Sequence, residues 1–120
     1  MFAKAKQWTM CLEFADALTR ISPTRRSGWI KRAVSLEELG RTGESITVLV
    51  ECLDLFKDDI MVPYYLAVFW GKIGNPMEAR RWLAIALARA KNPKEAKEWK
   101  LRALDESALE GLWKEIGDED

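Results

Sequence analysis

The stretch AVSLEELG at residues 33–40 is echoed in kind by AVFWGKIG at residues 67–74, which lies 34 residues further along the chain. Both stretches begin with alanine and end with glycine, and both carry large apolar residues in between. The corresponding positions continue beyond each glycine: Ala33 with Ala67, Leu36 with Trp70, Ser45 with Ala79, Leu49 with Leu83, and Cys52 with Ala86. A period of this length predicts repeated units of two helices joined by a turn.

Capping signals divide the chain into helices. Ser22-Pro23, Asn75-Pro76 and Asn92-Pro93 each place a capping side chain before a proline, which suits the first turn of a helix. Gly40 and Gly74 are typical of residues that end a helix in the left-handed conformation. With Thr42, Pro63 and Asp105 as the remaining starting signals, the seven predicted helices cover residues 4–21, 23–39, 43–56, 62–73, 76–91, 93–103 and 106–116.

One segment is ambiguous between helix and strand. Residues 46–50, ITVLV, are rich in β-branched side chains, which favour a strand by propensity. The apolar residues Ile46, Leu49, Val50 and Leu53 nevertheless follow helical spacing, and the repeat places a helix at this point. We therefore predict that the segment is helical.

Composition limits the chemistry available to this chain. Its 120 residues are 48% hydrophobic and 32% charged, with a formal net charge of zero, which predicts a single folded domain over residues 1–120. No histidine is present, so histidine-based nucleophilic and zinc chemistry is excluded. Cys11 and Cys52 lack metal-ligand spacing and are expected to be buried, inert thiols. We predict no enzymatic activity, no catalytic residue, no cofactor and no metal.

The sequence contains no apolar stretch of signal-peptide or membrane-span length. The most apolar run, residues 62–70, is about half as long as a membrane-spanning helix requires. The neutral net charge gives no general attraction to membranes or nucleic acid. These features predict a cytoplasmic protein with no membrane partner and no favoured nucleic-acid partner.

The repeated positions resemble those of the tetratricopeptide repeat, in which Trp29 would fill the tryptophan position of the first full unit. The resemblance departs from the pattern at Pro63, which stands where the second unit should have tryptophan. The ending, with Leu109, Leu112 and Trp113, is similar to that of small bacterial members with a degenerate last repeat. The resemblance implies an all-α, right-handed superhelical solenoid of antiparallel helix pairs. It divides the chain into an orphan second helix at 4–21, repeats at 23–56 and 62–91, a degenerate capping repeat at 93–116, and a frayed tail at 117–120.

The resemblance also implies a function. Arrays of this family bind other proteins in a concave groove lined by the first helix of each repeat, so we expect a non-catalytic module whose partner is a protein or peptide segment. Aromatic and aliphatic side chains would supply apolar contacts, and Lys31, Lys72 and Arg102 would orient an acidic end of the ligand. The predicted groove consists of Ile30, Lys31, Val34, Glu37, Tyr64, Tyr65, Val68, Lys72, Glu98, Trp99 and Arg102.

Several alternatives stay open at this point. The orphan helix or the C-terminal unit could fold into the groove and fill it. The chain could instead be a self-assembling scaffold, in which a homodimer covers the apolar flank of helix 4–21. A chaperone of the secretion type is a variant of the groove hypothesis. Binding of RNA by the basic residues 72–102, with a net charge of +6, is disfavoured because residues 103–120 carry −6 beside them.

Overall fold

A computed structural model describes the backbone of residues 2–118 and the side chains of residues 4–117. This part of the chain is all-helical and contains no strand. Residues 46–50 lie within a helix, which confirms that prediction. The seven α-helices of the described residues are α1 (Phe2–Ile21), α2 (Arg26–Glu38), α3 (Thr42–Cys52), α4 (Met61–Ile73), α5 (Pro76–Ala88), α6 (Pro93–Leu104) and α7 (Trp113–Asp118), with 3₁₀ segments at Leu53–Phe56 and Ser107–Leu112.

The chain divides into two compact units, Met1–Lys57 and Asp58–Asp120, called unit 1 and unit 2 below. Their boundary falls between the predicted repeats 23–56 and 62–91. Each unit therefore contains one of the two predicted helix pairs, α2 with α3 and α4 with α5. No helix in the described part of the chain is both long and apolar enough to cross a membrane.

Unit 1 is built from three helices that pack in sequence. α1 packs on α2, and α2 packs on α3, across connections of only a few residues, so that neighbouring helices run antiparallel. Ala15 of α1, Ala33 of α2 and Leu49 of α3 are each at most 1% exposed. Small residues at the helix contacts allow close approach, and leucine fills the space between the helices.

Unit 2 is centred on α4. This helix packs on α5 along one side and on the 3₁₀ segment Ser107–Leu112 along another. Leu66 and Ala67 of α4 are fully buried, as are Ala86 of α5 and, at 1% exposure, Leu109 of the 3₁₀ segment. Contact with two neighbours explains why α4 reads as almost uniformly apolar, because a helix that is covered on more than one side needs more than one apolar stripe.

The repeated positions of the sequence are core positions. Of the ten residues paired in the 34-residue comparison, nine are buried, and Trp70 is half-buried. The glycines that end the two echoing stretches adopt the left-handed conformation, with φ of +78° at Gly40 and +90° at Gly74. The left-handed conformation predicted for these two residues is confirmed, and it explains why glycine stands there.

The two asparagine caps are also confirmed. The side chain of Asn75 accepts a hydrogen bond from the backbone N–H of Glu78 at 3.1 Å, and Asn92 accepts one from Glu95 at 2.8 Å. Proline follows each cap as the first helical residue. A proline has no N–H to leave unpaired at this position, and a side-chain cap of this kind contributes about 1 kcal/mol to stability.

Five of the seven predicted helix starts differ from the structure by one to three residues; α1 begins at Phe2 and α4 at Met61. α2 begins at Arg26 rather than residue 23, because Ser22 accepts a backbone hydrogen bond from Arg25 at 3.1 Å and closes a turn around Pro23. Thr42 is the first residue of α3 and not its cap. Asp105 ends α6, and the next segment is capped by the side chain of Glu106.

Other boundaries also shift. The predicted helix 43–56 tightens into a 3₁₀ segment at Leu53–Phe56, and α5 ends at Ala88 rather than residue 91. The predicted helix 106–116 begins as the 3₁₀ segment Ser107–Leu112 and continues as α7. The predicted tail 117–120 overlaps the end of α7, and its last two residues lie outside the described residues.

Gly71 brings two parts of unit 2 into unusually close contact. A Cβ atom built at this position would lie 2.2 Å from the carbonyl oxygen of Ala108 and 3.0 Å from its carbonyl carbon. These are backbone atoms, which cannot rotate away as a flexible side chain could. The 3₁₀ segment can therefore lie against α4 at this depth only because residue 71 has no side chain.

We expect Gly71→Ala to destabilise the protein by about 2 kcal/mol or more, because the methyl group forces the 3₁₀ segment away from α4. Gly43→Ala is the matched control, since a Cβ there meets nothing within 4 Å and residue 43 is helical. The control should leave stability unchanged or raise it by about 0.5 kcal/mol. Urea unfolding followed by circular dichroism measures both, and equal stability of the two variants would contradict the close contact.

Candidate functional site

An apolar cleft lies between α1 and α2 on the surface of unit 1. Its volume is about 370 Å³. Trp8, Ile30 and Val34 are half-buried in its walls, whereas Phe14 projects from its edge and is 62% exposed. We call this feature the α1/α2 cleft; its lining residues are Trp8, Cys11, Phe14, Ile30, Lys31, Val34 and Ser35.

The cleft arises from the sizes of side chains on two helices. On α1, the small residue Cys11 lies between the large side chains of Trp8 and Phe14, at helical spacings of three residues. On α2, Ser35 is small and 1% exposed, so it lies at the bottom of the contact between the helices. Small residues at these two positions leave space that larger side chains would fill. An apolar depression of this kind suits the side chains of another molecule.

The apolar surface continues along α1. A second depression, of about 600 Å³, shares Trp8 and Cys11 with the cleft and extends to Met10, Lys4 and Glu38. Charged groups thus lie at the margins of the apolar surface. Lys31 in the cleft is exposed and forms no ion pair with any residue that the structure describes. Its ammonium group is available to an acidic group of a ligand.

Unit 1 therefore brings together three predicted groove residues, Ile30, Lys31 and Val34. Glu37, the fourth predicted residue on α2, is half-buried and does not line the cleft. The helix 4–21 was expected to contribute packing residues, and its lining side chains were not predicted as part of a site. The alternation of large and small apolar residues along α1 is the feature of the sequence that could have identified these side chains as part of a site.

Unit 2 places its predicted groove residues differently. Tyr64 and Val68 are only 3% and 4% exposed, so both side chains are packed in the interior and not on an open surface. Tyr65 is half-buried, and Lys72 is exposed near the end of α4. Glu98 is exposed on α6. The burial of Tyr64 and Val68 follows from the position of α4 at the centre of its unit.

Three of these residues form an aromatic cluster between α4 and α6. The rings of Tyr64 and Trp99 have centroids 5.0 Å apart. The guanidinium carbon of Arg102 lies 4.9 Å from the ring centroid of Trp99 and 5.5 Å from that of Tyr64. Such cation–π contacts contribute about 0.5–1 kcal/mol each at exposed sites. The cluster thus joins α6 to α4.

The basic stretch 72–102 is partly neutralised within unit 2. Arg80 of α5 forms a two-point ion pair with Glu115 of α7, with nitrogen–oxygen distances of 2.8 and 2.7 Å. This hydrogen-bonded pairing lowers the pKa of the Glu115 carboxyl group and raises that of Arg80. Arg81 lies 3.6 Å from a carboxylate oxygen of Glu78. One acidic residue of the C-terminal segment, Glu115, and one within the stretch, Glu78, therefore pair with its arginines.

The two cysteines differ in accessibility. Cys52 is fully buried, as expected, and its thiol donates to the carbonyl oxygen of Leu49 at 3.4 Å. Cys11 is exposed, so the expectation of a buried thiol is wrong for this residue. Its side chain lines the cleft, which is open to solvent, and is not covered by α2. Among the residues that the structure describes, no three histidine, cysteine or acidic side chains are grouped so that they could hold a metal ion.

The burial of Tyr64 predicts a dependence of stability on pH. Burial raises the pKa of its phenol from 10.0 to about 12, with a further increase from the nearby Glu106 carboxylate and an opposing effect of Arg102. The unfolded chain loses the phenolic proton more readily than the folded protein. The free energy of unfolding should therefore fall as the pH rises from 10 to about 12.

Two variants separate this effect from any other change in stability at high pH. Tyr65→Phe leaves Tyr64 as the only tyrosine of the chain and should retain the alkaline loss of stability. Tyr64→Phe should show a smaller loss between the same pH values. Urea unfolding at several pH values checks this prediction, and identical pH profiles of the two variants would contradict the burial of Tyr64.

The accessibility of Cys11 predicts that one thiol of the native protein reacts quickly with a small disulfide reagent and one reacts slowly. Cys11→Ser should abolish the fast phase, and Cys52→Ser should abolish the slow phase. The reaction is best followed in dilute protein, so that self-association does not shield either thiol. Equal rates for both thiols in the native protein would contradict the assigned positions.

Comparison of the chain with models of protein families, with curated proteins and with solved structures found no match. The interpretation of the site accordingly rests on the geometry of unit 1 and unit 2. The accessible apolar surface that contains predicted groove residues, Ile30, Lys31 and Val34, is the α1/α2 cleft.

Proposed function

We propose that this chain is a non-catalytic interaction module that binds an apolar segment of another protein in the α1/α2 cleft. The observation that carries the proposal is the cleft itself, which presents Trp8, Phe14 and Val34 around an accessible volume of about 370 Å³. A volume of this size accepts one or two large apolar side chains. Aromatic residues are favoured at binding surfaces because they offer a large contact area at little cost in conformational entropy.

The shape of the cleft favours a helical ligand. It lies along the line of contact between two antiparallel helices, and its apolar lining recurs at a spacing of three residues on α1 and four residues on α2. An amphipathic helix presents apolar side chains at the same spacings, so it can lay one face into such a groove. We propose that the bound segment is a helix of one to three turns with two apolar anchors.

The charge on the cleft lining favours an acidic residue beside those anchors. Lys31 is the one charged residue in the lining, and it is exposed. A carboxylate on the ligand could reach its ammonium group without being removed from water. Exposed pairs of this kind add little affinity but select the orientation of the ligand.

We further propose that the hairpins α2/α3 and α4/α5 are two repeats of the tetratricopeptide type. The burial of corresponding small residues, such as Ala33 with Ala67 and Ser45 with Ala79, supports this. The left-handed glycines at equivalent positions support it as well. Members of that family commonly bind protein segments, which agrees with the function proposed from the cleft.

The test uses a displayed library of random peptides, selected for binding to the folded wild-type chain. Selected peptides should carry apolar pairs at helical spacing with an adjacent acidic residue. Val34→Glu should weaken binding of a synthetic selected peptide by more than about tenfold, because it places a carboxylate in the apolar wall. Val50→Glu is the matched control, since Val50 is 49% exposed on α3 and lies outside the cleft; it should bind as wild type does.

A second variant protects the test against partial unfolding of Val34→Glu. Lys31 is exposed, so Lys31→Glu should keep the helical circular dichroism of the wild type. It should weaken binding of the acidic peptide and improve binding of the same peptide with lysine in place of the acidic residue. Bound peptide should also slow the reaction of Cys11 with the thiol reagent. Peptides that bind Val34→Glu and Lys31→Glu as tightly as they bind the wild type would overturn the cleft as the site.

A further inference from the structure

α1 carries a second apolar stripe that turns away from α2 and shares Phe14 with the edge of the α1/α2 cleft. Its packing side includes Ala15 and Thr19, which are 0% and 7% exposed. The stripe exposes large apolar side chains to solvent: Met10 is 61% exposed, Phe14 62% and Ile21 77%. Exposed apolar groups that line up on one face mark an interaction surface more often than single exposed residues do. We call this stripe the α1 seam; it consists of Met10, Phe14, Ala17 and Ile21.

The spacing of the α1 seam is that of a coiled coil. Successive residues of the seam are four, three and four positions apart, which is a seven-residue repeat over two heptads. α1 is also the longest helix in the described chain, with 20 residues against 13 for α2, α4 and α5. Two helices whose apolar residues follow a seven-residue repeat pack side by side at a shallow crossing angle, so that they stay in contact along their length. A partner that covers the whole seam would therefore be a helix of similar length.

We propose that the α1 seam pairs with the α1 seam of a second copy of this chain, as an antiparallel two-helix coiled coil about a twofold axis. The core positions of a heptad are called a and d. In an antiparallel pair, each a residue of one helix faces a d residue of the partner helix. The register that matches the full seam places Phe14 across from Ala17 of the second copy and Met10 across from Ile21. The large phenyl ring thus faces the smallest residue of the seam, and the symmetry repeats both layers.

The residues that flank the seam support the same register. Glu13 and Arg20 lie on one flank, both are exposed, and neither forms an ion pair with a residue that the structure describes. The antiparallel register places Glu13 beside Arg20 of the second copy, and the twofold axis produces this contact twice. On the other flank it places Cys11 beside Leu18 of the second copy, which is an apolar contact. Opposite charges on one flank and apolar residues on the other complete a pairing surface.

A parallel arrangement fits these residues less well. It would place Phe14 against Phe14 of the second copy in one layer and Ala17 against Ala17 in another, so the packing of large against small residues is lost. It would also place the Glu13 carboxylate beside Leu18 of the second copy. The charge pattern therefore favours the antiparallel pair of identical helices.

Sedimentation equilibrium of the full chain over a wide concentration range tests the proposal. The wild type should show a reversible monomer–dimer equilibrium. Met10→Glu combined with Ile21→Glu should weaken dimerisation by more than about tenfold, because it places two carboxylates in each outer layer of the pair. Neither residue lines the α1/α2 cleft, and both are exposed, so the helical circular dichroism and peptide binding should persist.

A charge exchange tests the register. Glu13→Arg should weaken the dimer roughly threefold to tenfold, because it replaces two attractive contacts with two repulsive ones. Adding Arg20→Glu to the same chain restores opposite charges and should return the dimer to nearly wild-type strength. Glu51→Arg is the matched control, since it makes the same change of net charge on α3 and should leave dimerisation unchanged.

Three results would overturn the proposal: a wild type that stays monomeric at all concentrations, a dimer unaffected by Met10→Glu with Ile21→Glu, or a charge exchange that fails to restore association. The cleft shares Phe14 and Cys11 with this pairing surface and is tested separately by Val34→Glu and Lys31→Glu. Conversely, peptide binding that is unchanged in those two variants, with an intact dimer, would remove the proposed function and leave the α1 seam as the interaction surface.

Discussion

In this chain, α1 and α4 each have two apolar faces. The neighbouring helix with which each forms a hairpin covers only one of these faces. The other face must meet a third element, or it stays in contact with water. In unit 2 the third element is supplied locally: α4 packs on α5 and also on the 3₁₀ segment Ser107–Leu112. In unit 1, α1 packs chiefly on α2, and the apolar side chains on its far side remain exposed. The candidate surfaces of the protein follow from this difference.

The parts of the fold that depend on local physics were predictable. The asparagine caps of α5 and α6, the left-handed glycines at 40 and 74, and the burial of Ala33 with Ala67 follow from interactions within a few residues or from the repeat. The start of α2 was missed because Pro23 suits a turn as well as a helix start, and the hydrogen bond between Arg25 and Ser22 decides between them. The close contact of Gly71 with Ala108 joins residues far apart in sequence, so no periodicity shows it.

The candidate site was predictable in part for the same reason. Ile30, Lys31 and Val34 share one face of α2, which helical spacing shows directly. The opposite wall, from Trp8 to Phe14, depends on which face of α1 meets α2, and the sequence offers two apolar faces for that contact. From the sequence, Tyr64 was predicted to lie on the groove surface. In the structure, Trp99 and Arg102 pack against its ring. Its role depends on a contact across 35 residues, which only the folded unit defines.

The position of Leu109 and Leu112 has a consequence for the order in which the chain can fold during synthesis. These residues are 1% and 2% exposed, and they complete the packing around α4, which is made about 40 residues earlier. The ribosome must therefore expose α4 and α5 before the segment that covers them exists. Unit 1 ends at Lys57 and contains all of its own helices by then. Synthesis from the N-terminus thus favours early folding of unit 1. The apolar surface of α4 stays uncovered until the segment with Leu109 and Leu112 has been made.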